Sequence, residues 1–303
     1  MPSGYLHEAY SESFSEGGLP FFLPSSDGWI IIRKIPETNY LDAMGCYPLF
    51  CCGDWASLAN DLKQLDPPIV SLAIVADPFG NYDQEILETC FPDLVFPYKT
   101  HFVVNLDTVS LMTISSNHRR NIKKAQNMIL VEKCDQPLNY LDDWIELYGL
   151  LIKRHEIEGV RKFSPFSFQQ QFEALGLVVF RAVYKKQTIG MLLFYEQGDI
   201  AYYHLGAFSD IGYDRRASFG LFWQAITFFK KKGVKYLDLG AGAGVKADMD
   251  SGLDRFKKGW ASESKLAYFC GRIFDTKRYG EIAKHKRKQD SSYFPAYREG
   301  EFK

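Results

Sequence analysis

Two glycine-containing strings hold the loudest chemical signals in the chain. LDLGAGAGVK, residues 237–246, imitates the loop that opens a dinucleotide- or S-adenosylmethionine-binding domain, where the backbone comes close to a ligand. Such a loop turns directly into a helix and is followed by more strand–helix pairs. Here DMDSG interrupts, and no second strand ends in an acid at the required spacing, so that reading is set aside. DRRASFG, residues 214–220, is better placed. A helix beginning near Ala217 would turn its first backbone N–H groups outward, where Arg215 and Arg216 add fixed charge, and together they could take a phosphate. The plain alternative is a helix cap with two solvated arginines.

Side chains fit for proton transfer sit in IAYYHLGAF, residues 200–208. Period two puts Tyr202 and His204 on one face and Tyr203 on the other. His204 could act directly or through water, since imidazole ordinarily titrates near neutrality; a histidine in an aromatic strand can equally be hydrogen-bonded core. Asp238 points opposite to Leu237 and Leu239 and either orients an amine or faces solvent. Arg119, Arg120, Lys123 and Lys124 in SSNHRRNIKKAQ, and Lys257 with Lys258 in RFKKGW, read by composition as solvated flanks or anion-binding faces. GxSxG, P-loop and HExxH strings are absent. Six cysteines show no CxxC pair and no histidine at zinc spacing, so they read as reduced packing thiols and no metal is expected.

The elements that must position these groups alternate between strand and helix, which predicts an α/β class with a mixed sheet. Near the start come strands at 28–35, YPLFCC and 69–76, and a helix over 54–65 capped by Asp54. FPDLVFPYKT, with Pro92 and Pro97, reads as an irregular connection, and a domain boundary is placed there. HFVVNL follows as strand, then a helix opened by Ser115 or Ser116, strand MILVEKC, the amphipathic helix LDDWIELYGLLIKRH, and a helix started by Ser164-Pro165. Three strands at 177–185, 188–196 and 200–208 form an antiparallel meander. A buried helix over 217–232 stopped by Gly233, a strand at 234–240, a short helix around LDRFKKGW and a strand at 265–274 complete the order.

That order over residues 98–275 resembles the GNAT acyltransferases, and more specifically their FemAB/CelD-like branch, to which the peptidoglycan aminoacyltransferases belong. The matching strings are SSNHRRNIKKAQ, TIGMLLFYEQGDIAYYHLGAF, ASFGLFWQAITFFKKKGVKYLDLG and the Phe-Lys pair of GLDRFKKGW. The resemblance implies two GNAT-like halves: a flexible segment 1–27, a degenerate half 28–97, the acyltransferase domain 98–275 and a basic tail 276–303. It also implies that Arg215, Arg216, Ala217, Ser218, Phe219 and Gly220 cradle the pyrophosphate of coenzyme A. Ser218 stands where that family's loop carries glycine, and the long helical arm of the peptidoglycan enzymes has no counterpart. The donor would lie between the strands of 200–208 and 234–240, with an amide among Leu205 to Ala207 binding the oxyanion and Gly206 allowing close approach. His204, Asp238, Lys257 and Tyr203 would be catalytic, and Arg119, Arg120, Tyr202 and Gly206 would contact substrate.

Composition sets outer limits. With 46% hydrophobic residues, 24 Phe, 18 Tyr and 5 Trp, this is a globular chain. Its net charge of −1 lacks the long-range field of a protein that grips nucleic acid broadly. Residues 1–32 carry Glu8, Glu12, Glu16 and Asp27 and no Lys or Arg, unlike a secretory signal, and no apolar run is long enough for a membrane span. The expectation is a cytoplasmic N-acyltransferase moving an acyl group from acyl-CoA or a related carrier, such as a carrier protein, to a small-molecule or peptide amine. Aminoacyl-tRNA-dependent transfer and a non-catalytic binding module are the alternatives.

Overall fold

Capping residues divide the chain where their chemistry dictates. In the computed structural model, which describes residues 1–66, 68–242, 252–288 and 290–301, the elements run in chain order as follows. They are α1 (Glu8–Glu12), β1 (Leu19–Leu23), β2 (Gly28–Lys34), β3 (Leu41–Gly45), α2 (Leu58–Lys63), β4 (Ser71–Val75), α3 (Gln84–Cys90) and β5 (Leu94–Asn105). Then come α4 (Ser116–Gln126), β6 (Leu130–Cys134), α5 (Leu141–His155), α6 (Pro165–Glu173), β7 (Leu177–Tyr184), β8 (Gln187–Gln197) and β9 (Ile200–Phe208). Last are α7 (Asp210–Asp214), α8 (Ala217–Lys232), β10 (Tyr236–Asp238), α9 (Gly252–Lys258), β11 (Glu263–Ile273) and α10 (Thr276–His285). Ser115 caps α4 by accepting the His118 N–H, Ser164 caps α6 by accepting that of Ser167, and Gly233 ends α8 at φ +88.

The chain forms two units. One comprises Met1–Gly4, Lys99–Ile157 and Ser164–Lys265; the other comprises Tyr5–Tyr98, Glu158–Phe163 and Leu266–Lys303. In the first, β6, β7, β8 and β9 pair antiparallel in sequence, β9 pairs parallel with β10, and β10 pairs antiparallel with β5. In the second, β1, β2 and β3 are antiparallel, β3 and β4 are parallel, and β4 pairs antiparallel with β11. Two runs therefore share one element order, β1-β2-β3-α2-β4-α3-β5 and β7-β8-β9-α8-β10-α9-β11, apart from the added short α7. Each run has its own core, Ile30, Leu72 and Phe91 in one, Phe194, Leu221 and Leu237 in the other.

Several expectations fail for local reasons. Residues 1–27 are not a loose lead: α1 and β1 lie there, and Tyr5, Tyr10 and Phe14 are buried with their rings in contact. YPLFCC makes the bridges Phe50↔Ala76 and Gly28↔Cys52 in place of a strand ladder, and Pro48 has no N–H to give one. The helix of 54–65 shortens to α2, since Asp54 takes the Ala56 and Ser57 N–H groups in a turn of its own. FPDLVFPYKT is mostly strand β5, proline being compatible with extended backbone. The tail holds α10, and Arg298 forms two bonds to Asp42, at 2.8 and 2.9 Å. Among the described residues no helix is long and apolar enough to cross a membrane.

Candidate active site

The site grows out of how one strand ends. β9 and β10 pair in parallel through Tyr236↔Ile200, Leu237↔Ala201 and Asp238↔Tyr202. β9 then runs on to Phe208, paired with β8 on its other edge, while β10 stops. Asp238 builds the turn itself: Oδ1 accepts the Gly240 N–H at 2.8 Å, and Gly240 adopts φ +70, which costs glycine little. Leu205 to Ala207 consequently have no strand partner on the β10 side among the described residues.

A bulge re-aims the side chains of β9. Leu193 faces Leu205 but Phe194 faces Tyr203, so His204 is the extra residue. Tyr203 lies on the α8 side, its ring 4.9 Å from that of Phe222. Its hydroxyl covers Gly206, where an added Cβ would come within 2.5 Å of Oη. Burial pushes the phenol pKa up, so Tyr203 stays protonated.

Lys257, in the last turn of α9, comes to the same place. Its Nζ lies 5.8 Å from the centre of the Tyr203 ring and donates to the Ala241 carbonyl at 2.5 Å. The solvated-flank alternative does not hold, because Lys257 is only 6% exposed. Burial pulls its pKa down to about 8; Asp238 and Asp254 act against that shift, and Lys99 adds to it. Asp238 is also buried, and its Oδ2 bonds to His101 Nδ1 at 2.7 Å. His101 is there because Asp238 stands opposite Val103 in the β10–β5 ladder, one diagonal step from His101.

The sequence reading missed His101, Lys99 and Asp254. Lys99 lies two residues before His101 on β5 and reaches the Gly242 carbonyl at 3.4 Å, and the buried Asp254 carboxylate crowds Gly242. The available signal was the Lys-x-His alternation at the start of HFVVNL, which puts both side chains on one face.

Other expected site residues lie elsewhere. His204 and Tyr202 are buried on the opposite face, where His204 Nε2 is 3.2 Å from Gln171 Oε1 and the ring is 5.1 Å from that of Tyr195. Burial drops the His204 pKa to about 3, so it does not titrate near neutrality as expected. Arg215 is held by the Tyr184 hydroxyl at 3.2 Å and stacks on that ring, with Met128 Sδ 3.6 Å away. Arg216 is the left-handed residue before α8, and Ala217 is fully buried. Ser218 is half-buried, Phe219 packs on His118 and Phe256, and Gly220 backs onto Ala125 and Val131, where a Cβ would sit 3.3 Å from each. Arg119 donates to the carbonyls of Leu111, Met112 and Ile114, and Arg120 bonds the exposed Asn117. Residues 243–246 of the glycine string lie outside the described residues.

Residues 114–264 match the family of acetyltransferase (GNAT) domains. The chain therefore carries a GNAT domain, which makes it a transferase of that class. The solved structure of FemX superposes with a TM-score of 0.69 at 13% identity, over 93% of this chain and 95% of that one. The C-terminal domain of a putative lysylphosphatidylglycerol synthetase from Agrobacterium fabrum gives 0.65 at 14% identity, covering 88% of each chain. L-PGS from Bacillus licheniformis gives 0.59 at 16% identity, over 92% and 96%. No curated protein matches the sequence.

Proposed function

We propose that the protein is an N-acyltransferase that moves an acyl group from an ester or thioester carrier to an amine by direct attack. The observation that supports this is the end of the β9–β10 ladder at Asp238, beside a buried lysine and a carboxylate–imidazole pair. Tyr203 links the two, with its ring beneath Lys257 and its hydroxyl over Gly206. The amine nitrogen bonds to the acyl carbon, and the carbonyl oxygen takes up charge that an amide among Leu205 to Ala207 and the Lys257 ammonium stabilise. Asp238, steadied by His101, orients the amine and receives its proton, which passes to the carrier's oxygen or sulfur as it leaves beside the Tyr203 hydroxyl.

The same geometry accepts acyl-coenzyme A or aminoacyl-tRNA, and the start of α8 favours the latter. Arg215 is committed to Tyr184, Ser218 replaces a glycine, and the open side of Gly220 is filled by α4 and β6. The acceptor is a small-molecule or peptide amine, and the reaction belongs in the cytoplasm, where both donors are made. The two-unit repeat supports reading residues 28–97 as a degenerate GNAT-like half. The test is transfer of labelled acyl groups from acetyl-CoA, longer acyl-CoA and a mixed aminoacyl-tRNA pool to panels of amines. Transfer from aminoacyl-tRNA, with binding that weakens as salt rises, is the expected result. Transfer from acyl-CoA alone would reverse the donor assignment, and no transfer or binding with any donor would overturn the function.

A further inference from the structure

We propose that His101 is a positioning residue of the transferase site: by holding Asp238 Oδ2 it fixes the carboxylate that faces Lys257 and starts the turn ending β10. The inference rests on the transferase reading and extends it to a residue of β5, a strand that lies before the matched GNAT region. Three facts carry it. The His101–Asp238 contact is 2.7 Å between residues that are 7% and 2% exposed, so water does not compete for it. The two Asp238 oxygens do different work: Oδ2 meets His101, and Oδ1 takes the Gly240 N–H that turns the chain away from β9. Asp238 is also one of two carboxylates that favour the charged form of Lys257, the other being Asp254.

Freed from His101, the Asp238 side chain could rotate about its Cα–Cβ bond, which would release the turn and weaken the hold on the Lys257 proton together. Among the described residues, the groups that bear on Lys257 are Asp238 of β10, Asp254 of α9, Lys99 of β5, the ring of Tyr203 of β9 and the Ala241 carbonyl; His101 acts through the first of these. With Nδ1 as donor to the carboxylate, an asparagine, whose Nδ2 falls near that position, can replace it, and a phenylalanine cannot.

The experiment uses the full chain with His101→Asn and His101→Phe, and follows the Lys257 side-chain carbon resonance through a pH titration without substrate. In the parent protein the midpoint should lie near 8. His101→Asn should keep it within a few tenths of a unit, and His101→Phe should lower it by about one unit. Where transfer is measurable, kcat should fall about 30-fold in His101→Phe and recover to within about threefold in His101→Asn. Two variants that behave alike, or a His101→Phe midpoint equal to the parent's, would overturn the proposal. Because the titration needs no donor, it decides the role of His101 even if every transfer assay is negative, a result that would count against the function alone.

Discussion

At the same point of the two repeats, β4 and β10 each lead into an aspartate whose own side chain makes a turn. Asp77 Oδ1 accepts the Phe79 N–H at 3.0 Å, as Asp238 Oδ1 accepts that of Gly240. The surroundings differ. Beside Asp77 lie the Cys51 thiol, 3.5 Å away, and the Tyr82 phenol, whose pKa the carboxylate helps to raise. Beside Asp238 lie His101 and Lys257. The space beyond the parallel pair differs too: Phe50 bridges to Ala76 in the first repeat, whereas in the second no described residue bridges onto Leu205 to Ala207 on the β10 side. One backbone device thus occurs in two settings, beside a thiol and a phenol at Asp77 and beside an imidazole and a buried lysine at Asp238.

The hardest blow to this contrast would come from Lys257→Met and Asp238→Asn. Each should lower kcat by about 10²- to 10³-fold, the loss associated with one oxyanion-stabilising group, while circular dichroism and the melting temperature show a folded chain. Asp77→Asn should do the reverse, costing about 1–3 kcal/mol in denaturant unfolding with kcat unchanged. A comparable loss of rate in both aspartate variants would erase the distinction between the repeats.

Acid and base sharpen it further. Lys257 is a cation below about 8 and neutral above, so transfer should decline as pH rises through that value, and Lys257→Arg should move the decline upward. His204 shows the opposite behaviour on the other face of β9. The unfolded chain binds its proton near 6.5 and the folded chain only near 3, so stability is fully present above 6.5 and is lost as pH falls between those values. Melting temperatures of His204→Gln across that window should show a shallower slope, by up to about 1.4 kcal/mol per pH unit, and kcat should stay within about threefold of the parent's. The smallest effect should come from Arg119→Ala. It removes bonds to three backbone carbonyls on a partly exposed turn, worth about 1–2 kcal/mol by denaturant titration, with no change in rate.

Much of the architecture was legible because it is locally encoded. LDDWIELYGLLIKRH reads as one amphipathic helix and is α5 from end to end, and the meander strands carry their turns between them. Asp238, Lys257 and Tyr203 were legible as chemistry-bearing side chains, and the structure brings them together. His101 was not, since its role depends on a ladder joining residues 137 positions apart, and no local pattern reports that pairing. His204 misled because a histidine's type says nothing about its surroundings: burial leaves it neutral. In residues 1–27 the acidic, Ser/Gly-rich composition hid three aromatic anchors, Tyr5, Tyr10 and Phe14.

β5 begins at Leu94 in one unit and ends at Asn105 in the other, and it brings Lys99 and His101 with it. A cut at the seam between Tyr98 and Lys99 would sever that strand in mid-course. A chain begun at that cut would keep Lys99 and His101 but place them at a fraying terminus, so the upstream half of β5 is what holds them in line.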